Sequence, residues 1–233
     1  MSATHPTPVL ARARLRRDRP ADALARILVP EEAGARIGAA HSLVWALFAD
    51  GPDRRRDFLW REVRPGEFLI LASRTPADPH DLFDLEYKPF APVLRPGQRL
   101  GFDLRANPVV SVHETPGQRG RRADVVMHAL HDLGPGERAS ARDAAVREAG
   151  AAWLARKGST AGFGIATERL YIDGYETVRI PRNGERAIIF STLTFQGVLT
   201  VDDPERFVAS ILKGFGAAKA FGCGLMLIRR AAP

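Results

Sequence analysis

Cysteine is almost missing from this chain. Cys223 is the single one in 233 residues. No disulfide can therefore close within the chain, and a cysteine-based zinc site is excluded. The same scarcity suits a reducing cytosol. Long apolar runs are missing too, and no stretch approaches the length of a membrane span. The first eight residues are polar and proline-containing and lack the apolar segment of a secretory leader. The expectation is a cytoplasmic protein with no membrane partner. Lysine is also scarce: Lys88, Lys157, Lys213 and Lys219 are the four among 34 basic residues, and the rest are arginine.

What is present is a surplus of positive charge. The 34 basic residues face 27 acidic ones, which leaves a net charge of +7 and a sequence pI near 10.3. That balance points to a polyanionic partner, of which nucleic acid is the commonest. Arginine's planar fork suits phosphates and guanine edges better than lysine does. A GC-rich coding sequence would also raise arginine, alanine and glycine together, and this chain is rich in all three. The apolar fraction, 45%, is ordinary for a globular protein. The length allows one large domain or two small ones.

Periodicity divides the chain into two similar halves. Residues 8–17 alternate as a half-buried strand with a basic face. Residues 36–48 carry Ile37, Ala40, Val44, Leu47 and Phe48 at helical spacing. Gly51-Pro52-Asp53 stops that helix. Strands are expected at 57–63 and 67–73, joined by Arg64-Pro65-Gly66, then a short helical turn near 79–85 and a proline-rich linker at 88–96. The second half opens with a strand at 99–104 that continues through 109–112. Residues 114–136 read as a polar, mobile stretch. A helix is expected at 141–156, strands at 163–172, 175–180 and 187–201, and a helix from Asp202-Asp203-Pro204-Glu205 to Gly214. A final strand closes the chain. Each half thus reads βαββαβ, the split-βαβ unit. The expected fold is α+β, with tandem ferredoxin-like (RRM-like) domains over residues 1–95 and 96–233. The aromatic RNP consensus of an RRM is absent from both halves, so base stacking on an RRM sheet is not supported.

Four glycines and a lysine crowd into Gly214-Phe215-Gly216-Ala217-Ala218-Lys219-Ala220-Phe221-Gly222-Cys223-Gly224. Glycine permits positive φ and close backbone approach, and a run of free N–H groups can hold an anion. A Walker A loop is excluded, because Lys219 precedes alanine and the order is helix, loop, strand. The Rossmann fingerprint is excluded for the same order and because Lys219 occupies the third glycine position. A plain sharp turn between helix and strand explains the glycines equally well.

Four stretches taken in order carry a family resemblance. They are Ala40-His41-Ser42-Leu43-Val44-Trp45-Ala46-Leu47-Phe48 with Arg56-Asp57-Phe58-Leu59-Trp60; Lys88-Pro89-Phe90 with Pro96-Gly97-Gln98-Arg99; Leu104-Arg105-Ala106-Asn107-Pro108; and Phe195-Gln196-Gly197-Val198-Leu199-Thr200 with the glycine loop. The set resembles the CasE family, the CRISPR repeat-RNA endoribonucleases of type I-E systems in the RAMP superfamily. The resemblance implies metal-independent cleavage at the base of a repeat-RNA hairpin. It implies a 2′,3′-cyclic phosphate end, no cofactor, retention of the CRISPR RNA and assembly with other type I-E Cascade subunits. A non-catalytic RNA-hairpin-binding subunit on the same fold is the alternative; an enzyme that binds a nucleotide phosphate through the glycine loop is weaker.

Within that resemblance His41 aligns with the family's catalytic histidine. A histidine titrates near neutrality and can accept or donate the proton that transesterification requires. His41 is expected in the early part of its helix, where the positive end favours phosphate. Lys219 is a candidate for stabilising charge, and with Gly214, Gly216, Gly222 and Gly224 it is a candidate RNA contact. Arg179, Arg182 and Arg186 form a basic hairpin that the resemblance places in the groove of the RNA stem; a solvated turn is the plain reading. Gly38 stands where several family members carry a tyrosine. Arg54-Arg55-Arg56 and the arginines at 119–122 read as solvated runs or general phosphate contacts. His128-x-x-His131 has a metal-compatible spacing, but no carboxylate or cysteine converges with it in sequence. Trp45, Trp60 and Trp153 read as core, and Cys223 as a small residue between glycines.

Overall fold

The computed structural model describes residues 7–16, 30–51, 55–112, 120–182 and 184–231. Residues 1–6, Arg17, Pro52, Asp53, Arg54, the segment 113–119 that includes Arg119, and Asn183 lie outside the described residues, and so do the readings placed on them. The architecture is mixed α and β with antiparallel sheets.

The first half supplies β1 (Val9–Leu15), α1 (Ala33–Ala46), β2 (Phe58–Arg64), β3 (Glu67–Ala72) and β4 (Phe83–Pro89). They form one antiparallel sheet in the order β2-β3-β1-β4. Strand alternation sends successive side chains to opposite faces. Val9, Ala11, Trp60, Phe68 and Ile70 meet Ala40, Leu43 and Val44 of α1, and Leu47 just after it, on one face. Leu10, Leu59, Leu69 and Leu71 join the core of the second half on the other. The sheet is therefore covered on both sides, and its outer leucines join the two halves. The basic face expected of β1 is an ion-pair ladder. Arg12 bonds Glu67 at 2.6 Å and Arg16 meets Asp81 at 2.8 Å and Asp84 at 3.2 Å. Arg12's hydrogen bond holds the Glu67 carboxyl below the usual carboxylate range.

The helical turn expected near 79–85 is not there. Phe83 and Leu85 belong to β4 and pair with Leu15 and Ala13. The expected linker begins as the same strand, since Lys88 and Pro89 pair with Leu10 and Val9. As an edge strand, β4 carries the charges Asp84, Glu86 and Lys88 that blunt an open edge, and these hide its alternation.

The second half supplies β5 (Arg99–Ala106), β6 (Val109–Val112), β7 (Arg121–Asp124), α2 (Val125–Ala129), α3 (Pro135–Ala161), β8 (Phe163–Ile165), β9 (Tyr171–Ile180), β10 (Ile188–Val201), α4 (Pro204–Lys213) and β11 (Met226–Arg230). The main sheet runs β11-β5-β10-β8, with β9 also on β10. The polar stretch read as mobile holds β7 and α2 in its described part, because Val125, Val126 and Leu130 are buried against α3's core. α3 exceeds its expected bounds at both ends. Glu137 accepts from the Gly134 N–H at 2.9 Å at its start, and Gly162 at φ 82 ends it. The expected strand at 163–172 breaks at a one-turn 3-10 helix, Thr167–Arg169, and β9 then continues through Gly174 at φ 66. β10 is long enough to pair with β9 along its first part and β8 at its end. α4 starts as expected: Asp203 accepts from the Arg206 N–H at 3.0 Å and Pro204 takes the first helical position.

Candidate active site

α1 begins at Ala33, three residues before its expected start, because Glu32 caps it. Both Glu32 carboxylate oxygens accept backbone N–H groups, from Gly34 at 2.9 Å and Ala35 at 2.5 Å. Those bonds lower the Glu32 pKa. His41 is therefore the ninth residue of the helix, in its third turn. The expectation that the helix N-terminus assists His41 fails, since that field acts within the first turn.

A different element holds the ring. His41 Nδ1 lies 2.8 Å from the carbonyl oxygen of Ala220, and Trp60 Nε1 donates to the same oxygen at 3.1 Å. A carbonyl oxygen only accepts, so Nδ1 carries the hydrogen and Nε2 is the nitrogen left for chemistry. The ring also packs on Phe221, centroids 5.4 Å apart, and Trp45, 6.0 Å apart. Phe221 stacks on Phe190 of β10 at 5.7 Å and 21°. A histidine from the first half is thus oriented by the glycine loop of the second, and the loop is tied to the β9–β10 hairpin. Ala220, Phe221 and Phe190 are site residues that the sequence reading missed. Trp60 is core, 1% exposed, with a polar tip at the site.

The glycine loop is seated by its glycines. Gly214, Gly216, Gly222 and Gly224 all have positive φ, from 76 to 90°. A Cβ at Gly216 would lie 2.6 Å from the Asn107 carbonyl oxygen, and one at Gly222 would lie 3.2 Å from the Trp60 ring. The absent side chains leave room for protein. Gly222 and Gly224 are themselves buried. Asn107, 5% exposed, accepts from the Ala217 N–H at 3.0 Å and donates through Nδ2 to the Ser191 carbonyl at 2.7 Å. The Arg105 carbonyl accepts from Gly224 N–H at 2.7 Å. The Leu104-Arg105-Ala106-Asn107-Pro108 stretch is thus the socket of the loop.

Lys219 sits beside Ala220 in the one-turn 3-10 helix Lys219–Phe221 and donates to the Lys213 carbonyl at 3.0 Å, at the end of α4. Burial, then the positive charges of Arg56, Lys213 and Lys157, lower its pKa. Arg56 is itself half-buried, with Nη1 unpartnered among the described residues. Cations crowded against one another gain when an anion enters. Arg56, first read as part of a general run, belongs with Lys219 on this ground.

Arg179, Arg182 and Arg186 are exposed about the tip of the β9–β10 hairpin. Arg182 pairs with Glu185, a surface contact of small worth. The Arg179 backbone is packed so tightly on α1 that a Cβ at Gly34 would lie 1.9 Å from its carbonyl oxygen. At Gly38, a Cβ would lie 3.4 Å from Ile180 Cγ2. The place of the family tyrosine is therefore opposed by an aliphatic side chain. His131 Nδ1 lies 2.9 Å from Asp132; among the described residues no three His, Cys, Asp or Glu groups converge as a metal site. Cys223 is fully buried. No helix among the described residues is long and apolar enough to cross a membrane.

A family model described as CRISPR associated protein matches residues 10–230. The chain belongs to that family. This CRISPR-associated chain is 35% identical over 150 residues to the CRISPR-associated endoribonuclease Cse3 of Thermus thermophilus, a match that covers 60% of each protein. It is 27% identical over 208 residues to the CRISPR system Cascade subunit CasE of Escherichia coli K12, covering 87% of this chain and 96% of that one. Among solved structures it resembles the CRISPR endoribonuclease Cse3 bound to a 19-nucleotide RNA, with a TM-score of 0.69, 26% identity, and coverage of 96% of this chain and 98% of that chain.

Proposed function

We propose that this protein is an endoribonuclease that cuts CRISPR repeat RNA at the base of its stem-loop without a metal ion. The carrying observation is the clamp on His41, whose Nδ1–H is fixed to the Ala220 carbonyl while Nε2 is left for the reaction. The relatives named as CRISPR endoribonucleases and as a Cascade subunit support the substrate and the assembly. We read residues 1–95 and 96–233 as two ferredoxin-like units. Both sheets have the order second, third, first, fourth strand, counting β8 and β9 together as the second of the latter half.

In the proposed reaction the ribose 2′-oxygen attacks the adjacent phosphorus as its proton leaves. The O2′–P bond forms, the P–O5′ bond breaks, and O5′ takes up a proton. The products are a 2′,3′-cyclic phosphate and a 5′-hydroxyl. Neutral His41 offers the Nε2 lone pair as base, and protonated His41 offers Nε2–H as acid. Positioned proton transfer of this kind contributes about 10²–10⁴-fold. Lys219, beside Arg56, meets the negative charge that grows on the phosphorane. Arg179, Arg182 and Arg186 contact the stem, and A-form RNA is recognised there mainly by shape and phosphates. The protein keeps the product hairpin and enters a Cascade-type complex in the cytoplasm. Gly38 opposite Ile180 favours one other reading, a subunit that binds the hairpin without cutting it. Incubating end-labelled repeat RNA from the same genome with the protein in EDTA separates the two. A product ending in a cyclic phosphate is expected; intact RNA under saturating protein would establish the binding subunit.

A further inference from the structure

A cleft runs between the β6–β7 ribbon and α3. One lobe, about 630 Å³, is lined by Val110, His128, Trp153, Arg156 and Lys157 among others. A second lobe, about 550 Å³, shares Val109, Val110, Ser111 and Lys157 with it and reaches Arg122, Gly216 and Ala217. No Asp or Glu is among the described residues lining either lobe. Trp153 is 1% exposed, and its Nε1 has no hydrogen-bond partner among the described residues. Lys157 Nζ stands 5.9 Å from the Trp153 ring centroid. The walls thus offer donors and cations over an apolar floor, which is the chemistry of a phosphate-bearing chain. The cleft ends at Ala217, three residues before the carbonyl that holds His41, at most about 11 Å of chain. Lobes of this size admit a drug-sized group, so nucleotides enter singly and a duplex does not.

We propose that this cleft binds the single-stranded RNA that flanks the hairpin, with phosphates on Arg122, Arg156 and Lys157. The inference rests on the RNA-processing reading above. It places a binding surface beyond the hairpin contacts, continuous with the glycine loop.

The test uses RNA made uncleavable by a 2′-deoxy substitution at the scissile nucleotide. Three molecules are compared: the hairpin alone, the hairpin with a single-stranded upstream extension, and the hairpin with a downstream extension. Wild-type protein should bind one extended RNA about tenfold more tightly than the bare hairpin, with a steeper salt dependence. The Arg122→Ala/Arg156→Ala double variant, altered at two exposed positions, should lose that gain and keep its affinity for the bare hairpin. Equal wild-type binding of extended and bare RNA overturns the proposal, as does a double variant weakened equally toward both. A double variant that keeps the full gain overturns it, because the flank then binds elsewhere. Wild-type protein that binds none of the three overturns the functional reading itself, and the cleft assignment with it.

Discussion

Replacing Gly216 by alanine should unseat the glycine loop at a cost that the geometry sets. Gly216 has φ 80°, and the new Cβ would lie 2.6 Å from the Asn107 carbonyl oxygen. The left-handed conformation costs a non-glycine residue about 1–2 kcal/mol. Reduced freedom of the unfolded chain returns about 0.4–1 kcal/mol. The carbonyl must then move away, which breaks the 3.0 Å bond from the Ala217 N–H. Leaving a buried backbone group unpaired costs about 1–3 kcal/mol more. The sum is about 2–4 kcal/mol, or roughly 4–16 °C in Tm for a chain of this size. Gly97→Ala is the matched control. Gly97 has φ 77° and nothing within 4 Å of its Cβ position, so that variant should lose only about 1 kcal/mol. Urea denaturation of both, followed by fluorescence, isolates the clash. Equal losses in the two variants would refute the claim that the glycines exist to seat the loop on its socket.

Other consequences follow from the same geometry. Asp103 on β5 accepts from Arg61 on β2 and from Gln196 at 3.0 Å, so Asp103→Ala should cost about 1–3 kcal/mol by joining the halves less firmly; urea unfolding measures it. Burial raises the Cys223 thiol to about 11, so a thiol reagent at pH 8 should label denatured protein and leave native protein unlabelled. Because that pKa is raised on folding, its contribution to stability is full below the unfolded thiol pKa and falls as pH climbs toward the folded one. Denaturation midpoints between pH 8 and 10.5 should therefore decline, and a Cys223→Ser variant should decline less. Single alanine variants at Arg179, Arg182 and Arg186 should each reduce the salt slope of hairpin binding by about 1, as read by titration at several salt concentrations; unchanged slopes would return the hairpin to a solvated turn.

How legible the site was depends on what kind of atom does the work. His41 is a candidate through the family resemblance, because the motif that carries the resemblance contains the side chain itself. Its partner is not, because the Ala220 carbonyl is backbone and any residue there could supply it. The helix argument attached to His41 failed for a local reason. Glu32 is an uncommon cap, so the start at Ala33 was missed, and with it the true place of His41 along the helix. The need for glycine in the loop was plain from four glycines in eleven residues, but what Gly214, Gly216 and Gly222 avoid lies on Leu59, Asn107 and Trp60, far away in sequence, while Gly224 faces the Phe215 carbonyl within the loop. Strand β4 escaped notice because an exposed edge carries charges and shows no alternation. The long β10 was legible because Ile189 and Gln196 are its only exposed residues.

The central claim is that His41 performs chemistry and that affinity resides elsewhere. Single-turnover cleavage of the repeat RNA in EDTA, measured for wild type and His41→Ala beside their hairpin affinities, tests it most directly. The account predicts that the variant cuts about 10²–10⁴-fold more slowly with affinity nearly unchanged. A variant that cuts at the wild-type rate would contradict it.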